Sequence, residues 1–134
     1  MAAPKPRTAA LVAAGWTAFV WLTRVSNAVQ DDDLSVAGTV GALVLAVSFL
    51  TLAALVAFAA LRRRELLFRS VLGLTGWTVA VWAVRIVDIV GGDHGAGFVV
   101  VHLLLGVVSV VVCVVALLQL AEDRQGFLGR RSGR

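Results

Sequence analysis

GTVGALVLAVSFLTLAALVAFAAL, residues 38–61, contains no Asp, Glu, Lys, Arg or His. A bilayer core of about 30 Å is crossed by about 20 helical residues, so this stretch is long enough to span it. Working outward, three more apolar segments of similar length lie near residues 9–29, 70–90 and 98–120. Val-rich runs such as VVSVVVCVV, residues 107–115, would suit a strand in water. In lipid, backbone polar groups must be satisfied within the segment, and that requirement selects helix. The chain as a whole agrees: 134 residues, 60% hydrophobic and 15% charged. That composition points to an integral membrane protein with a single transmembrane domain, residues 1–134.

Orientation follows from the basic residues. Of the twelve Lys and Arg, Lys5 and Arg7 precede the first span. Arg62, Arg63, Arg64 and Arg69 separate the second from the third, and Arg124, Arg130, Arg131 and Arg134 follow the fourth. The opposite loops, QDDDLSVA and GGDHGAG, hold neither Lys nor Arg. The positive-inside rule places both termini in the cytoplasm and the acidic loops outside. Residues 121–134 then form a charged, loosely ordered cytoplasmic tail. The formal charge of +4 does not indicate nucleic-acid binding, because the basic residues flank spans and have no aromatic neighbours forming a patch. Small size and the lack of other targeting signals point to the plasma (inner) membrane. The first span also admits a signal-peptide reading, with SNA ending at Ala28 as the cleavage site. Arg24 just before that site, and the likeness of this span to the third, favour retention.

That likeness is specific. GWTAFVWLTRVSN from Gly15 and GWTVAVWAVRIVD from Gly76 align at one offset of 61 residues (76 − 15, and 85 − 24). Gly15/Gly76, Trp16/Trp77, Thr17/Thr78, Val20/Val81, Trp21/Trp82, Arg24/Arg85 and Val29/Val90 match, and Asn27 aligns with Asp88. All four tryptophans fall in paired positions. Apolar composition can match Val and Ala by chance but would not set every Trp and both intramembrane Arg in register. The expected fold is therefore an all-α four-helix bundle of two tandem parallel two-helix repeats, units 9–61 and 70–120, related by an axis along the membrane normal.

Arg24 and Arg85 are the leading candidate site residues. Each lies about 8 Å inside the outer end of its helix at 1.5 Å per residue. Asp88 is three residues after Arg85, on the same face and able to pair with it, with Asn27 in the equivalent place beside Arg24. Trp21 and Trp82 precede each Arg by three residues, spacing that suits a cation–π contact. The arginines either face each other across the bundle and bind an anion, or snorkel to headgroups within an aromatic belt. His94, His102 and Asp93 are weaker candidates for an outer-face metal or haem site, since no His pair has ligand spacing. Small residues Gly38, Ala42 and Ala46, and Gly106, Ser109, Cys113 and Ala116, suit close helix packing. Cys113 lies deep in an apolar run and is expected to be inert.

No Ser–His–Asp or Cys–His set, phosphate-cradling Gly loop or mid-membrane acid pair is present, so no catalytic site and no cofactor are expected. Three functions fit. The first is a non-enzymatic accessory or interaction subunit, partnered by lipid and by a second copy or a larger membrane protein. The second is a minimal oligomeric channel or transporter with an anion site at Arg24 and Arg85. The third is a metal or haem binder. The first is the leading expectation, because the others require features the sequence lacks.

Overall fold

The computed structural model describes residues 5–31 and 35–132, with side chains as far as residue 126. Four helices follow in order: α1 Pro6–Gln30, α2 Val36–Arg62, α3 Arg64–Gly91 and α4 Ala96–Ser132. All four are long and apolar enough to cross a membrane. Pro6 opens α1 at a position where a missing N–H costs no helical bond. Ser35 caps α2, its hydroxyl accepting from the Gly38 N–H at 3.1 Å.

The helices extend beyond the apolar spans. The sequence ended one span near Leu61 and began the next near Ser70, but α2 and α3 meet at Arg63 alone. Hydropathy marks only the part that lipid must accept. Residues 64–69 are mostly Arg, Leu and Glu, good helix formers, and Glu65 in the first turn suits the helix dipole. Likewise α4 continues to Ser132 through the segment expected to be loosely ordered. Asp32 and Asp33 of the first acidic loop lie outside the described residues.

Each helix packs on its two neighbours, α1 on α2 and α4, and α3 on α2 and α4, so α1 and α3 stand diagonally. Small side chains line the buried faces of α1 and α2. Ala9, Ala10, Ala13 and Ala14 are buried on α1, and Ala42, Ala46, Ala53, Ala59 and Ala60 on α2. Without a hydrophobic drive in lipid, such faces let backbones approach and gain dispersion contacts. The outward faces carry Leu, Val and Phe along all four helices, including Val12, Phe19, Val44, Phe58, Val84 and Val111. An apolar surface this continuous is unsuited to water and suited to acyl chains.

The diagonal helices bury corresponding positions. Ala10 and Val71, Ala13 and Leu74, Ala14 and Thr75, Thr17 and Thr78, Trp21 and Trp82, and Ala28 and Ile89 are all buried, and each pair is 61 residues apart. Two interhelical hydrogen bonds share the offset. Trp16 Nε1 donates to Ser109 Oγ on α4 at 3.0 Å, and Trp77 Nε1 donates to Ser48 Oγ on α2 at 3.0 Å. The even helices thus carry a paired feature that their apolar sequences barely signal. At mid-bundle, Phe49, Val56, Val71, Leu74, Thr78 and Cys113 are fully buried and close the interior. Thr78 and Thr75 satisfy their hydroxyls by donating to the Leu74 and Val71 carbonyls at 2.7 and 2.8 Å.

Candidate functional site

At the end of the bundle where α1 and α3 finish, a cavity of about 370 Å³ opens between α1, α3 and the start of α4. Trp21, Arg24, Asn27, Trp82, Arg85 and Asp88 all line it. Their convergence follows from the helix geometry. Arg24 is six residues before Gln30, and Arg85 six before Gly91, so each lies about 9 Å inside its helix end. Because α1 and α3 run the same way at diagonal corners, the arginines meet at one depth from opposite walls. Both are half-buried, whereas Asn27 and Asp88 are exposed.

The guanidinium of Arg24 feels repulsion from Arg85 and attraction from Asp31. The lining holds two arginines against one carboxylate, Asp88, an excess of one positive charge before either histidine is protonated. The expected Arg85–Asp88 ion pair is not formed. A salt bridge of 3.8 Å does join Arg63 to Glu65, at the other end of the bundle. A shared helix face allows a contact, but the solvated Asp88 side chain loses rotamer freedom by making it.

The tryptophans also differ from expectation. Neither Trp21 nor Trp82 lies under an arginine. Trp21 stacks on Phe49 of α2 with ring centroids 4.1 Å apart and planes 11° from parallel. Trp82 packs on α4 at Gly106, where an added Cβ would come within 2.7 Å of the Trp82 ring carbon Cε3. Both indoles bury apolar area in the bundle, which outweighs a partly solvated cation–π contact. They form the cavity's floor. Trp82 Nε1 is buried without a partner.

The histidines enter the same cavity. His94 stacks on Phe98 at 4.8 Å, and Phe98 packs against His102 at 3.9 Å. Phe98 and His102 are four residues apart on one stripe of α4, and His94, in the loop before the helix, lies against its first turn. His102 Nδ1 lies 2.8 Å from the Phe98 carbonyl oxygen. A carbonyl only accepts, so Nδ1 carries the proton and Nε2 is the free ring nitrogen of the neutral form. His94 is seated by Gly92, where any Cβ would lie 2.6 Å from the imidazole. Asp93 does not line the cavity, and among the described residues no group of three His, Cys, Asp or Glu could hold a metal ion.

The assembly is a largely apolar cup with two arginines and two histidines on its walls, closed below by Trp21, Trp82 and the packed interior. Such a cup can hold a small anion, or an anionic headgroup whose tails lie along the bundle. No family model, no curated protein and no solved structure matches this chain.

Proposed function

We propose that the chain is a non-enzymatic multi-pass protein of the plasma (inner) membrane that binds an oxyanion, free or as a lipid headgroup, between Arg24 and Arg85. The observation that carries this reading is the presence of both half-buried arginines in one cavity whose lining holds a single carboxylate, Asp88. Membrane-embedded charges are costly and persist where something pairs with them, and planar guanidinium groups suit phosphate and carboxylate. The 61-residue correspondences support two duplicated parallel units, with the arginines related by the axis between them. The basic-residue distribution supports cytoplasmic termini and an outward-facing cup. The fully buried Phe49, Val56, Val71 and Leu74 favour binding over conduction, since a pore through one copy would have to pass them.

Titration with inorganic phosphate and with a short-chain anionic phospholipid tests this reading, with Trp fluorescence as readout because Trp21 and Trp82 form the floor. Each of Arg24→Gln and Arg85→Gln is expected to weaken binding about 10-fold or more, the scale of one charge-assisted hydrogen bond. Asp88→Asn, which removes the opposing charge, is expected to strengthen it. Arginine variants that bind as tightly as the parent protein would overturn the proposal.

An accessory-subunit role is a second reading favoured by α4. It buries 17% of its most apolar window in the bundle, against 28–33% for the others. Its wide Val face is available to a larger membrane protein, and intact-complex mass analysis from native membranes would reveal one at fixed stoichiometry.

A further inference from the structure

At the opposite end of the bundle a second cavity, of about 440 Å³, opens between α1, α3 and α4. Arg7, Arg64, Arg69 and Arg124 line it, opposed by Glu65 and Asp123. Arg7 and Arg24 are 17 residues apart on α1, about 26 Å along the axis, so the two cavities are separate. Two further features bear on it. The 28-residue α3 begins here with no side-chain cap on its first turn, so its positive dipole end, partly offset by Glu65, adds to the arginines. The Arg124 guanidinium is held 4.4 Å over the Phe68 ring, which fixes one cation at the wall before any ligand arrives. Glu65 is drawn toward Arg63, outside the lining, at 3.8 Å.

We infer that this cavity is a second anion site, one that takes a phosphate group at the other face of the membrane. The lining carries four positive and two negative charges, an excess that matches a phosphate dianion or a doubly charged phospholipid headgroup. Basic pockets between transmembrane helices recognise such headgroups. A purely topological role for the arginines requires neither a cavity nor convergence from three helices. Arg62, exposed and outside the lining, serves as the control for that role.

The test is native mass spectrometry of the full-length protein in detergent, titrated in parallel with inorganic phosphate and with a short-chain phosphatidylglycerol. No tryptophan lines this cavity, so the readout is bound mass. In an Arg24→Gln background, which weakens the first site, the variant Arg64→Gln/Arg69→Gln is expected to lose at least about 10-fold in affinity for one of the two probes, while Arg62→Gln in the same background leaves that binding event unchanged. Loss confined to the lipid identifies a headgroup site, and loss with inorganic phosphate identifies a free-ion site; either supports the inference. Equal losses in Arg62→Gln and in the double variant, or no loss in the double variant, overturn it. If the double variant does not fold, Arg7→Gln on the separate helix α1 decides by the same comparison, with a loss of about 5-fold expected for one charge. Because every comparison is made in the Arg24→Gln background, failure of this site and failure of the first are read separately.

Discussion

At the scale of single residues, the most consequential contact is between Gly106 and Trp82. The glycine lets the indole lie against the α4 backbone and complete the floor of the arginine cavity. Gly106→Ala is expected to destabilise the bundle by about 1–3 kcal/mol, the usual cost of overpacking. Gly15→Ala, with nothing within 4 Å of the added Cβ, is expected to be neutral or slightly stabilising. Thermal unfolding in detergent compares the two. Sequence alone located Trp82 and Arg85 on one helix but assigned the indole to the wrong neighbour. A three-residue spacing fixes a shared face within a turn. Which neighbour the ring meets depends on the opposing helix, and Gly106 is visible only as one small residue among several. The positions of Arg24 and Arg85 were legible for a firmer reason: two equal helices entering in the same direction must set equal positions at equal depth.

At the scale of elements, the helices were legible because lipid leaves few alternatives, while their ends were not. Hydropathy stops where charge begins, yet Arg64–Arg69 continue as helix and shorten the α2–α3 connection to Arg63. The sequence places Ser109 on a packing face without naming its partner, and Ser48 sits alone in a long Val- and Leu-rich run, so the paired Trp–Ser bonds were not legible as a pair. Their equivalence predicts equal energetics. Double-mutant cycles with Trp16→Phe and Ser109→Ala, and with Trp77→Phe and Ser48→Ala, are expected to give coupling energies of similar size. Each should be about 0.6 kcal/mol, the average for interhelical hydrogen bonds in a membrane bundle. Unequal couplings, with one near zero, would argue that the two units have diverged in packing.

At the scale of the whole molecule, the bundle has a cation-bearing cavity at each end and a dry, closed middle. The distribution of arginine predicts that the Arg7 end faces the cytoplasm. Single cysteines introduced at Lys5 and at Gly95 in a Cys113→Ser background are expected to label from opposite sides of intact vesicles. Labelling of both from one side would contradict the four-span topology. The buried faces of α1 and α3 carry one more implication. Ala10, Ala13 and Ala14 stand where the diagonal helix has Val71, Leu74 and Thr75. Two copies of the first half would meet around a hollow, and two copies of the second around a crowd; only unlike halves fill the space between them. Expressed as separate chains, residues 1–62 and 63–134 are thus expected to capture each other in preference to themselves. Such a preference would make the two halves a lock and key carried on one strand.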